Sequence, residues 1–281
     1  MPVIPGTSLT VSDLCLGGNV FGWTADEPTS FALLDRFTDA TVSTQAPFVD
    51  TAESYGRGAS EEILGNWMAE RGLRDRMVVA TKASRLEKEH PLSAAEIRTA
   101  VEGSLRRLQT DRIDLYYAHY DDASTPLEET LRAFDELVRA GKVRYVALQP
   151  HCNLMERAAY EDGLRDVVAA HDLGVLPYFA LAKGFLTGKY RPGEQVDSPR
   201  AGGASAYVGE RGDRVLAALG QVAEAHGVTV AAVALRWLAD RPTVVSPIAS
   251  GRSVEQLADL LPMQDLVLTE DETQALDAAS A

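Results

Sequence analysis

With 281 residues, 46% of them hydrophobic and 24% charged, the chain can bury a large core and has an ordinary globular composition. A formal net charge of −14 argues against general binding to nucleic acid or anionic membranes and leaves room only for a local basic pocket. The N-terminus reads unlike a signal peptide, no apolar run has the length of a membrane span, and Cys15 and Cys152 sit in no paired motif, so a cytoplasmic chain with reduced thiols and no metal cluster is expected.

Leu14-Cys15-Leu16 reads as a first strand, stopped by Gly17-Gly18, and residues 28–40 carry Phe31, Leu34 and Phe37 at helical spacing. Pro47-Phe48-Val49 is a short apolar run of the kind that forms a buried parallel strand, and it ends in Asp50 with Tyr55 in the loop beyond. Ser60 is expected to open a helix with Glu61 and Glu62 in its first turn. Met77–Thr81 is a strand running into Lys82. Ser93 and Glu96 form a capping-box pattern before the stripe Ile97, Val101, Leu105 and Leu108. Ile113–Ala118 is a strand running into His119. A helix from Thr125-Pro126 is expected to turn Leu127, Leu131, Phe134, Leu137 and Val138 inward and to end at Gly141.

Val143–Leu148 is expected to be a single buried strand ending at Gln149-Pro150. A helix covers much of 155–171, and Val175–Tyr178 is another strand. Residues 182–206 hold five Gly and two Pro and read as a long loop of the functional kind. Helices follow at 210–226 and 229–240, then a strand at Val244–Ile248, then helices near 253–261 and 270–278. The alternation without a linker predicts parallel βα units in one domain spanning 1–281, an α/β barrel with seven strands.

Three strand ends carry Asp50, Lys82 and His119, with Tyr55 just beyond the first, and catalytic groups of parallel α/β folds gather at those ends. Each has an ordinary reading alone: a turn cap, a rim phenol, a solvated ammonium, a structural imidazole. Together they suit carbonyl reduction. A phenol with pKa about 10 is a poor acid; an adjacent ammonium lowers that pKa, an aspartate holds the ammonium, and a histidine can bind the substrate oxygen. A cofactor would supply the hydride.

Asp-Thr-Ala-Glu-Ser-Tyr-Gly-x-Gly-x-Ser-Glu-Glu-x-Leu-Gly at 50–65 and Ala-Thr-Lys at 80–82 resemble the aldo-keto reductase family. So do Ser-Leu-Arg-Arg-Leu-Gln-Thr-Asp-Arg-Ile-Asp-Leu-Tyr-Tyr-Ala-His at 104–119, Gly-Lys-Val-Arg-Tyr at 141–145 and Leu-Ala-Lys-Gly-Phe-Leu-Thr-Gly-Lys-Tyr-Arg at 181–191. The resemblance implies a TIM-type (β/α)₈ barrel, NADP(H), a small-molecule carbonyl substrate and a catalytic tetrad of Asp50, Tyr55, Lys82 and His119. It further implies Gln149 at the nicotinamide carboxamide and Tyr178 stacked on the nicotinamide. Leu181, Gly184 and Lys189 would cover the pyrophosphate, Ser250 and Arg252 would meet the 2′-phosphate, and Gln256 would lie near the adenine. Leu260 stands where many members carry asparagine.

One departure is large. The family pattern places a strand ending in Ser-Asn, and a helix, between the strand of Gly-Lys-Val-Arg-Tyr and the strand ending in Gln. Here Val143–Ala147 runs directly into Leu148-Gln149-Pro150, so one βα unit is missing after residue 147 and seven strands are counted instead of eight. The first reading is an NADPH-dependent reductase with Tyr55 as general acid. The alternative is a catalytically impaired or inactive relative acting as a nucleotide- or protein-binding barrel; a hydrolase on a similar barrel has no metal site or nucleophile triad to support it. Substrate choice is expected from Phe21, Trp23, Arg85, Leu86, Tyr120 and residues 183–207, since loops carry specificity.

Overall fold

The computed structural model describes residues 2–41, 45–83, 89–190, 196 and 198–281. They divide into two compact units, one of Thr7–Leu148 with Ser250–Val254, the other of Pro2–Gly6, Gln149–Ala249 and Glu255–Ala281.

The first unit alternates strand and helix: β1 (Cys15–Gly17), α1 (Glu27–Thr41), β2 (Phe48–Asp50), α2 (Ala59–Arg71), β3 (Val78–Ala83), α3 (Ala94–Arg107), β4 (Ile113–Ala118), α4 (Leu127–Arg139) and β5 (Val143–Val146). The strands are parallel and lie side by side in the order β5-β4-β3-β2-β1. Every residue of β1, β2 and β3 is buried, which is why these segments read as continuous apolar runs and not as alternating ones. Register sets Asp50 beside Ala80 and Lys82 beside Tyr117. Period-two alternation then puts Asp50 and Lys82 on one face and Thr81 on the other.

On that other face Thr81 donates to the fully buried Glu61 at 2.6 Å, and Arg107 donates to Glu61 at 2.7 Å, tying β3 to α2 and α3. Gly65 is required there. A Cβ on it would stand 2.2 Å from the Arg107 carbonyl oxygen, so only glycine lets the end of α3 approach α2 this closely.

Ser93 caps α3 as its spacing predicts, accepting from the Glu96 N–H, and Ile97, Val101, Leu105 and Leu108 are buried. Three local expectations are corrected. Ser60 does not cap α2, which starts at Ala59 after Gly58 (φ 100°); its hydroxyl donates to the Gly18 carbonyl at 2.7 Å and pairs with Thr51. On α4 Phe134 and Leu137 are buried as expected, joined by Thr130 and Ala133, whereas Leu127 and Leu131 are 66% and 56% exposed and Val138 is exposed too. The helix is turned by about one residue's arc from the sequence expectation. Lastly, β5 stops at Val146, and Val146 and Leu148 are exposed, because the run stands last in the sheet order beside β4 alone.

The second unit is less regular. The helix expected over 155–171 is two short ones, α5 (Ala158–Glu161) and α6 (Leu164–Ala170), broken at Gly163 with φ 113°. The expected loop holds a 3-10 helix at Ala182–Thr187 and α7 (Ala201–Ser205). Long helices α8 (Glu210–His226) and α9 (Val230–Ala239) match expectation. β6 (Ile248–Ala249), α10 (Val254–Ala258, whose first residue belongs to the first unit) and α11 (Glu270–Ser280) follow. Thr269 and Glu272 form a full capping box on α11.

Val175–Tyr178 is not a strand. It makes only single bridges, Val175 with Val244 and Tyr178 with His151, and Pro177 accepts from Ile248 without donating. Pro177 and Pro247 lack the N–H that a continuous ladder needs. Six strands, not seven, form among the described residues.

Candidate active site

Asp50, Tyr55, Lys82 and His119 all belong to the first unit. The apolar sequence of β2 and β3 carries Asp50 and Lys82 into the interior, where they are 2% and 1% exposed. A buried ammonium must be paired, and this one is: Lys82 Nζ donates to Asp50 Oδ2 at 2.6 Å, to the Thr51 carbonyl at 2.8 Å and to Tyr55 Oη at 3.3 Å. Tyr55 sits in the turn after β2, followed by Gly56 (φ 57°) and Arg57 (φ 57°), a left-handed pair that folds the chain back into α2. His119 follows β4, and its N–H continues the ladder to the Ala83 carbonyl at 2.8 Å. Its ring meets Tyr55 edge-on at 5.6 Å, stacks on Tyr120 at 4.3 Å, and its Nδ1 lies 3.2 Å from Ser54 Oγ.

The electrostatics follow from burial. Desolvation pulls the Lys82 pKa down, but Asp50 and Tyr55 outweigh it and hold the ammonium above its ordinary value. Burial raises the Tyr55 pKa and Lys82 opposes it; the net shift is upward. The expectation that Lys82 would bring the phenol below its ordinary pKa is therefore met in sign and outweighed in size. Burial, helped by Lys82, lowers His119 to about 3, so its imidazole is neutral across the physiological range. The arrangement is an acid whose proton is held at neutral pH, backed by a fixed cation and flanked by a neutral imidazole.

Among the residues expected at a cofactor, Ser250 and Arg252 lie in the first unit, and Ser250 Oγ donates to Asn19 Oδ1 at 2.6 Å. Gln149, Tyr178, Leu181, Gly184, Lys189 and Gln256 lie in the second. Tyr178 is 37% exposed and stacks on His151 at 5.1 Å. Leu181 is buried, Gly184 has φ 99°, and the Lys189 ammonium lies over the Tyr190 ring. Lys183 and Arg200 both place cations over Phe179, at 5.7 and 5.9 Å.

Of the specificity candidates, Phe21 is fully buried and lines no open wall, whereas Trp23 and Tyr120 are exposed; Arg85 and Leu86 lie outside the described residues. Sequence reasoning missed Ser54 and His151, and took in Lys183 and Arg200 only as part of the 183–207 segment. Ser54 carried a signal in being next to Tyr55. His151 had none that distinguishes it from a surface residue.

A parallel α/β sheet thus brings an acid, an amine, a phenol and an imidazole together at its strand ends. The sequence description of the aldo/keto reductase family matches residues 13–149 and again 145–281, and the chain belongs to this family. The two stretches meet at 145–149, where Val143–Leu148 runs straight into Gln149.

A norsolorinic acid reductase of Emericella nidulans is 32% identical over 319 aligned positions, covering 97% of this chain and 79% of the relative. That alignment is longer than the 281-residue chain, so the relative carries segments with no counterpart here. An uncharacterized oxidoreductase of Bacillus subtilis is 32% identical, covering 94% of this chain and 91% of its own. Among solved structures, a glycerol dehydrogenase from Gluconobacter oxydans superposes with a TM-score of 0.83 at 27% identity, covering 99% of this chain and 94% of its own. The fold class is thus the α/β, TIM-type barrel class of these relatives. No single helix among the described residues is long and apolar enough to cross a membrane.

Proposed function

We propose that the chain reduces an aldehyde or ketone to an alcohol with NADPH, and that Tyr55 is the general acid. The observation that carries this reading is the buried line from Asp50 through Lys82 to Tyr55, with Lys82 donating to both oxygens. Lys82 already donates to Tyr55 Oη, so the phenol's own proton is available to a substrate oxygen, and the ammonium stabilises the phenolate left behind. His119, neutral, orients that oxygen. NADP(H), when bound, would supply the hydride. The intact tetrad favours a working site over an inactive relative.

For the cofactor we assign Gln149, Tyr178, Leu181, Gly184, Lys189, Ser250, Arg252 and Gln256. Their chemistry fits a dinucleotide: a partly open aromatic ring for the nicotinamide, and cationic side chains on a glycine-containing turn for phosphates. Arg252→Ala is expected to weaken NADPH more than NADH by roughly 1.5–3 kcal/mol, the cost of one charge-assisted hydrogen bond; equal losses would remove Arg252 from phosphate recognition. With no counterpart of the Ser-Asn pair, cofactor affinity and turnover are expected to be lower than the family pattern implies. The same reading takes residues 1–281 as one reductase domain working in the cytoplasm.

NADPH consumption with a panel of aldehydes and ketones tests the reading. Tyr55→Phe should abolish turnover and leave cofactor binding nearly intact, because the hydroxyl acts in the transition state. Unchanged turnover in that variant would remove Tyr55 from the chemistry.

A further inference from the structure

His119 is held on three sides by residues of its own unit. Tyr120 stacks on one face at 4.3 Å and an interplanar angle of 19°, Tyr55 meets it edge-on, and Ser54 Oγ lies 3.2 Å from Nδ1. We propose that Ser54 is a positioning residue: its hydroxyl donates to His119 Nδ1 and fixes the neutral tautomer that carries its proton on Nε2. His119 is then a second hydrogen-bond donor, beside Tyr55, for the oxygen of the substrate carbonyl. The inference rests on the reductase reading above.

Two physical arguments set the direction of this bond. A neutral imidazole has one donor and one acceptor nitrogen, and the partner of one fixes the role of the other. Among the described residues, His119 is the only side-chain partner of the Ser54 hydroxyl. If Ser54 merely accepted, its half-buried proton would have no protein partner, whereas donation satisfies both the hydroxyl and Nδ1. The second argument is the reaction. A carbonyl oxygen gains negative charge as hydride reaches carbon, and donors aimed at it stabilise that charge. An Nε2 lone pair would repel the oxygen; an Nε2–H binds it. The ring cannot serve as a cation, because burial and the Lys82 charge keep it neutral.

The full chain labelled with ¹⁵N-histidine tests this directly, since ring-nitrogen shifts distinguish protonated from bare nitrogens without any need for activity. Loss of one of the five histidine signals in His119→Gln assigns the ring. The wild type is expected to show Nε2 protonated and Nδ1 bare. Ser54→Ala should show a mixture of tautomers, and Ser54→Thr, which keeps the hydroxyl, should restore the single one. Ser54→Gly serves the same purpose if the alanine variant is misfolded.

In turnover, kcat should fall about five- to tenfold in Ser54→Ala, with KM for NADPH unchanged and recovery in Ser54→Thr. A wild-type ring protonated on Nδ1, or an unchanged tautomer in Ser54→Ala, would overturn the proposal. A wild type that reduces no carbonyl yet shows the expected tautomers sinks the reductase reading while the spectra uphold the role of Ser54.

Discussion

The two units are built from similar stretches and end differently. In the first, five apolar runs become five parallel strands, and two of them bury an ionised pair. In the second, Val175–Tyr178 and Val244–Ile248 are as apolar as β2, yet they yield two single bridges and a two-residue strand. Apolar content is not what separates them; the supply of N–H groups is. Pro150, Pro177 and Pro247 remove donors where ladders would run, and Thr243 is held at φ 70° beside Val244. A sheet unit with uninterrupted donors can carry a buried charge pair on its strands. An interrupted one turns more sharply: Phe179, Ala182 and Lys183, all left-handed, lie within five residues of one another just after Tyr178.

The comparison is most easily broken at the ion pair. Lys82→Met takes its ammonium partner from the buried Asp50 carboxylate and should cost about 3–5 kcal/mol of stability, along with all reductase activity. Replacing both residues, Lys82→Met with Asp50→Leu, should recover most of the stability and none of the activity, because an apolar pair of similar volume is often neutral in a core. Thermal unfolding followed by circular dichroism separates the two effects. A single variant as stable as the wild type would show that the pair is not closed off from water.

Next in size is Gly65. Alanine there brings a methyl to 2.2 Å from the Arg107 carbonyl oxygen and 2.8 Å from the Leu108 carbonyl carbon, both backbone atoms that cannot rotate away. Overpacking of this kind costs about 1–3 kcal/mol. A melting midpoint equal to the wild type would mean that α2 and α3 slide apart freely, against the tight packing that distinguishes the first unit.

A smaller effect links the site to pH. His119 titrates at about 3 when folded, against an ordinary 6.5. Between those values the unfolded chain binds a proton that the folded chain refuses, so stability contributed by this group is complete above 6.5 and is lost as pH falls. At pH 5.5 the loss is about 1.4 kcal/mol. His119→Gln should flatten that part of the stability curve, and kcat/KM of the wild type should show no break near 6.5. A break there would mean that the ring is charged in the working enzyme.

The same contrast explains what was legible in the sequence. The tetrad was readable because four chemically unusual residues sit at, or just after, the ends of three continuous apolar runs, and register then brings them together. The α3 cap and the two long helices α8 and α9 were readable from side-chain spacing alone. Three things were not. The roll of α4 was hidden because Leu127, Leu131 and Val138 form a stripe as regular as the buried one beside it, and only packing against the sheet decides between them. The upward shift of Tyr55 was hidden because burial, which outweighs Lys82, is a property of the fold. The bridges of the second unit were hidden in its prolines, whose effect on a ladder depends on which neighbour needs the missing donor.

The smallest predicted effect is a test of the less regular unit by its most regular element. Gly220 lies in the interior of α8, and a Cβ there meets nothing within 4 Å. Alanine at such a site loses less backbone entropy on folding, so Gly220→Ala should stabilise by about 0.5–1 kcal/mol. Gly227, just past the same helix, has equally empty surroundings but φ 64°, a left-handed conformation that closes the helix through bonds to Ala223 and Glu224. Gly227→Ala should therefore destabilise by about 1 kcal/mol, although no atom is in its way. Opposite signs at two unobstructed glycines of one helix isolate backbone conformation from packing. If both substitutions moved the melting midpoint in the same direction, backbone conformation would not be what governs α8, and the proline account of the second unit's broken ladders would lose its closest parallel.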